Sequence, residues 1–117
     1  MNKTLSIIVL LLPISGCSNV ILEMTEQQDW VAVAQHDVEF GKKQRTDDNL
    51  EELGAISSEA KEEYEDAYLA HVNFYCEPRK GYLAGRIGKP RNDVCFTTPN
   101  GWMYEQSWLS GRTSERL

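Results

Sequence analysis

The residues whose chemistry matters first are His36 and His71, Cys17, Cys76 and Cys95, and a run of cations between the last two cysteines. Nucleophilic catalysis needs a serine or cysteine within hydrogen-bond reach of a base that a third group orients. His36 and His71 fall in different predicted helices, and the neighbours His36 and Asp37 diverge when wound into a helix. Ser107 and Ser110 have no identifiable base, and Glu62 and Asp66 sit at the helical spacing of an ordinary solvated acidic face. Nothing here assembles a hydrolytic or redox constellation, so the expectation is a protein that is not an enzyme and needs no metal and no cofactor.

Binding chemistry is better supplied. The stretch EPRKGYLAGRIGKPRNDV carries Arg79, Lys80, Arg86, Lys89 and Arg91, with Gly81, Gly85 and Gly88 between them. Gly85-Arg86-Ile87-Gly88-Lys89 is not a phosphate-binding P-loop, which needs four residues between its glycines and a Ser or Thr after Lys; here two intervene and Pro90 follows. Five cations among backbone amides still offer an anion-binding candidate for phosphate or carboxylate groups such as those of lipopolysaccharide or peptidoglycan. The plainer alternative is a structural loop with solvated charges. Its glycines and prolines predict turns in place of a long helix.

Cys17 belongs to a different chemistry. Lys3 is a short positive region, Leu5 to Leu12 an apolar run, and Ser15 and Gly16 the small residues that a signal peptidase requires, so residues 1–16 read as a secretory signal. The run is too short for a membrane span, and Pro13 would interrupt one. Ile14-Ser15-Gly16-Cys17 resembles the bacterial lipobox, which implies cleavage before Cys17 and lipidation of its sulfur and freed amine; the plainer alternative is an ordinary signal with a cysteine nearby. Two or more acyl chains make anchoring stable. With Ser18 where an aspartate would favour the inner membrane, the resemblance implies a lipid anchor in the outer membrane with the protein facing the periplasm.

Export bears on the other cysteines. With Cys17 lipidated, Cys76 and Cys95 remain in an oxidising compartment and have only each other to pair with. Closing a loop of about twenty residues stabilises a fold by about 3 kcal/mol. A metal site would need more nitrogen and sulfur ligands than two cysteines and scattered histidines provide.

These residues need elements to hold them. Thr25-Glu26-Gln27-Gln28 has the form of a capping box, followed by a stripe of Trp30, Val33, Ala34, Asp37, Val38 and Phe40 that suits a first helix. Thr46 to Ser57 reads as a connection in which Leu50, Leu53 and Ile56 pack as a short turn. Ser57 and Ser58 offer N-caps to the clearest helix, whose apolar face is Ala60, Tyr64, Ala67, Tyr68, His71, Val72 and Tyr75 and which stops near Cys76 ahead of Pro78. Thr97 to Asn100 would cap a third helix, with Trp102, Tyr104, Trp108 and Leu109 on its packing face and Gly111 as its stop. The large rings are expected to form one core with Trp30 and the tyrosines; exposed together, Trp102 and Trp108 would instead form a partner surface.

The expected architecture is therefore mainly α: a small domain of about three helices with a disulfide-closed, glycine-rich loop. It divides into a signal at 1–16, a lipidated tether at 17–24, one domain at 25–111 and a polar tail at 112–117. Charge is uneven, with 14 acidic and 4 basic residues from Cys17 to Tyr75 and 4 acidic and 7 basic from Cys76 to Leu117. The acidic balance argues against a nucleic-acid partner. The expected partners are the membrane, through the lipid, and an envelope component.

Tyr75-Cys76, Pro78, Gly81-Tyr82, Gly85, Gly88 and Val94-Cys95, with Tyr64 before them and Tyr104 and Gly111 after, form a pattern that resembles a family of small bacterial lipoproteins known as domain of unknown function 2799. The lipobox, Trp30 and the cysteine pair fall in the order of that family. The resemblance implies no activity, no cofactor and no catalytic residues.

Overall fold

The computed structural model describes residues 20–114, and every regular element in it is a helix. The signal at 1–16, Cys17 and the last three residues of the tail lie outside the described residues. Among the described residues seven helices replace the expected three: α1 (Val20–Glu26), α2 (Trp30–Glu39), α3 (Asp47–Glu52), α4 (Ser58–Tyr75), α5 (Pro78–Arg86), α6 (Asp93–Phe96) and α7 (Gly101–Ser114).

The difference begins at Thr25. It lies within α1 and donates its hydroxyl to the Leu22 carbonyl, so it caps nothing downstream. The chain turns at Gln28, whose φ of 54° is left-handed, and Asp29 caps α2 by accepting from the Ala32 amide at 3.0 Å. Thr46 accepts from the Asn49 amide and starts α3, which seals Leu50 into the core while Ile56 stays exposed. α4 follows the sequence most closely. Ser57 Oγ accepts from the Ala60 amide at 3.1 Å, Tyr64 and Tyr68 are buried, and Ala60, Ala67, Val72 and Tyr75 pack beside them.

Two apolar clusters form where one was expected. The first joins α2 to α4 through Trp30, Val33, Ala34, Val38, Leu50, Tyr64 and Tyr68. The second gathers Ala84, Cys95, Tyr104 and Trp108, with Phe96 and Cys76 against them. Tyr75 packs on both, and α6 turns Val94 to the first and Cys95 to the second. Cys76 and Cys95 form a disulfide with their Cα atoms 5.1 Å apart, tying the end of α4 to α6 at this junction. Replacing both cysteines by alanine is expected to lower stability by about 3 kcal/mol, measured as a lower urea midpoint; an unchanged midpoint would mean that the bond does not form in the native protein.

The segment expected to be turns contains helix α5, and its glycines are the reason. Proline is tolerated at the first position of a helix, where Pro78 sits, and Gly81 and Gly85 face α7. A Cβ at Gly81 would lie 2.7 Å from the Tyr104 carbonyl, one at Gly85 would collide with the Trp108 carbonyl, and one at Gly111 with the Tyr82 carbonyl. The step from Gly81 to Gly85 matches the step from Tyr104 to Trp108, so α5 and α7 run in the same direction with their backbones almost touching. Gly111 is accordingly a packing residue inside α7 and not its stop. Thr97 and Thr98 do not cap α7 either; their hydroxyls donate back to Val94 and Cys95 and close α6.

Candidate functional site

Between the two clusters, where α2 and α4 end and α5 and α7 pass, lies a cavity of about 350 Å³. Its buried wall is Tyr104, Ala84 and Asn92; its open side is Phe40, Lys89, Pro90 and Arg91, with Tyr75 between. That volume is at the low end of the roughly 300–1,000 Å³ common for small-molecule sites.

The rim is held at both ends. Trp108 donates its indole N–H to the Lys89 carbonyl at 3.1 Å, which fixes the chain just after the turn at Gly88 (φ 79°) that follows α5. Asn92 donates to the Val38 carbonyl at 2.9 Å and accepts from the Val94 and Cys95 amides at 3.0 and 3.3 Å, joining α2 to α6. One buried side chain thus satisfies groups from two helices, and the Lys89-Pro90-Arg91 bridge is stretched between two anchors.

The five cations do not converge. Arg79 and Arg86 are exposed on α5, seven residues apart and therefore on one face, together with exposed Leu83 and Ile87. Lys80 is drawn back to α4: its ammonium donates to the Phe74 carbonyl at 2.7 Å and lies over the Phe74 ring. Arg91 lies 4.1 Å over the Phe96 ring, 3.5 Å from Asp93 and 3.9 Å from Glu105. Only Lys89 and Arg91 reach the cavity.

The aromatic pair divides as well. Trp108 is 9% exposed and belongs to the second cluster, whereas Trp102 is 65% exposed, so the two do not share a partner surface. Of the histidines, His71 meets Glu39 at 3.1 Å, and His36 stacks on Phe40 with its Nδ1 buried and unpaired. Among the described residues no group of three or more His, Cys, Asp or Glu side chains is placed to hold a metal ion.

What the sequence did not reveal is a buried charge beside the site. Asp37 is fully buried on α2 and accepts from Arg45 Nε at 2.7 Å, Arg45 Nη2 at 3.0 Å and the Tyr64 hydroxyl at 2.8 Å. The Tyr64 hydroxyl in turn accepts from the Arg45 amide at 3.0 Å, and Tyr68 donates to the Lys42 carbonyl at 2.7 Å. The irregular segment leading to α3 is thereby fastened to α4. Pairing with Asp37 raises the Arg45 pKa, and burial raises that of Tyr64.

Burial, and then the neighbouring Tyr75, push Tyr104 up to about 12. The folded state keeps this phenol protonated while the unfolded chain ionises near pH 10, so the unfolded state binds fewer protons above that pH and stability falls as pH rises. The stabilisation is complete below about pH 10 and is lost as pH rises through about 12. Urea midpoints across this window should decline less steeply for Tyr104→Phe than for the parent; parallel declines would contradict the assignment.

A family model described as Protein of unknown function (DUF2799) matches residues 29–113, from the cap of α2 almost to the end of α7. No curated protein and no solved structure matches the chain.

Proposed function

The chain belongs to the DUF2799 family, and from that premise we propose that it is a lipid-anchored, non-catalytic interaction module of the bacterial envelope, held at the outer membrane and facing the periplasm. The observation that carries the reading is the Cys76–Cys95 disulfide. Such a bond persists in exported proteins, which is where the lysine, apolar run and small residues before Cys17 would send this one. Lipid on Cys17 would then hold a helical domain whose rigid junction and exposed cations are available to envelope components.

Density fractionation of membranes from cells making the full chain tests this. The parent should band with the outer membrane and Cys17→Ser should leave it; a variant that still bands there would remove the lipid from the account.

A second reading concerns α5 alone. Arg79, Arg86, Leu83 and Ile87 are exposed together, combining cationic and apolar groups suited to anionic lipid or glycan. Co-sedimentation of the full chain with lipopolysaccharide should be salt-sensitive and weakened by the double variant Arg79→Glu, Arg86→Glu; indifference to both would exclude this face.

A further inference from the structure

The cavity at the cluster junction has a chemistry of its own. The hydroxyls of Tyr64, Tyr68 and Tyr82 each meet a protein partner. Tyr104, 1% exposed, and Tyr75 line the cavity, and among the described residues neither hydroxyl meets a protein partner. A phenol hydroxyl with no protein acceptor is free to donate to a group that arrives in the cavity it lines. Lys89 stands on the rim and, among the described residues, has no carboxylate within ion-pair distance, unlike Arg91, which has Asp93 and Glu105. Glu39 also lines the cavity and meets His71 at 3.1 Å.

Apolar walls complete the arrangement. Phe40, Tyr75 and Tyr104 present rings and Ala84 a small buried side chain. Rings of this kind favour stacked or edge-on contact with another flat apolar group. The rim needs little ordering on binding, since Trp108 and Asn92 already fix it, and preorganisation of that kind raises affinity.

We infer that this cavity is a binding site for a small carboxylate carried on a flat apolar body, with Lys89 and the Tyr104 hydroxyl receiving the carboxylate and Phe40, Tyr75 and Ala84 enclosing the body. The inference deepens the interaction-module reading by giving it a ligand class. Its test is separate from that reading, because a titration reports on the cavity whatever becomes of Cys17.

The test is calorimetric titration of the full chain, purified in detergent, with 2-naphthoate and with its uncharged counterpart 2-naphthamide, using empty micelles as blank. Naphthoate should saturate one site, and naphthamide should bind at least about fivefold more weakly. Lys89→Gln should weaken naphthoate by about tenfold and bring the two probes together. Lys89 is exposed and holds its loop through the backbone carbonyl, which the variant retains, so the thermal transition should not move. Phe40→Ala, also at an exposed position, should weaken both probes. The α5 double variant Arg79→Glu, Arg86→Glu should leave naphthoate affinity within about twofold, because it lies off the cavity. Naphthoate that does not saturate, or that binds Lys89→Gln as well as the parent, would overturn the site. An equal loss in the α5 variant would overturn it too, by reducing the effect to general positive charge.

Discussion

Asp37→Ala is expected to destabilise the protein by about 3–5 kcal/mol, a large part of the roughly 5–15 kcal/mol typical of a domain. The carboxylate is wholly buried and receives three donors, two from the Arg45 guanidinium and one from Tyr64. Removing it leaves a partly buried cation without its partner and the Tyr64 hydroxyl without its acceptor, so the penalty is that of stranded groups as well as lost bonds. Tyr64→Phe removes one donor and leaves the ion pair, and should cost about 1–3 kcal/mol. The double variant Asp37→Leu, Arg45→Met should lose less than the sum of its singles, since no charge is left unpaired. Urea unfolding followed by circular dichroism measures these losses; a loss below about 1 kcal/mol for Asp37→Ala would mean that the carboxylate is not buried in the native protein.

The second large effect is at the α5 and α7 contact. Gly85→Ala would drive a methyl group into the Trp108 carbonyl and to 3.0 Å from the Arg112 amide, and Gly111→Ala would drive one into the Tyr82 carbonyl. Backbone atoms cannot step aside as a flexible side chain can, so the helices must separate and open the second cluster. Each variant should cost about 3 kcal/mol or more, against the gain of up to about 1 kcal/mol that Gly→Ala brings in an unobstructed helix. Gly88 and Gly54 have nothing within 4 Å of an added Cβ, but both have positive φ, so any cost there would arise from backbone strain instead of collision. Unfolding midpoints for Gly85→Ala and Gly111→Ala equal to or above the parent's would contradict the close approach.

The same contact explains where the sequence misled. Glycines and prolines between the cysteines signal turns when each residue is weighed alone, and two glycines cost a nine-residue helix about 2 kcal/mol. Contact with a helix twenty-odd positions further on outweighs that, and no local pattern announces it. Asp37 illustrates the converse: it stands in the apolar stripe of α2 and looks like an imperfection, because Arg45 lies beyond the end of the helix and Tyr64 is 27 positions away. α4 was legible because its evidence is local, from the Ser57 cap to tyrosines at helical spacing to a stop before Pro78.

The site divides in the same way. Lys89 and Arg91 stand out in the sequence as cations, but so do Arg79, Lys80 and Arg86, and only the fold separates those that line the cavity with Tyr104 from those that meet solvent or Phe74. Tyr104 carried a signal of a kind, as a large ring on the α7 face, though that signal speaks of packing and not of an unpartnered hydroxyl. Asn92 carried none, since a single asparagine between a basic loop and a short helix reads as a turn residue until its two helices are in place.

The claim on which the functional account rests is that an exported, lipidated chain encloses an oxidised cysteine pair. The most direct measurement is the intact mass of the protein extracted from bacterial membranes, taken before and after reduction. The account predicts the mass of residues 17–117 plus acyl groups, rising by two hydrogens on reduction as the disulfide opens. A mass that retains residues 1–16, or that shows Cys17 unmodified, or that does not change on reduction, would contradict it.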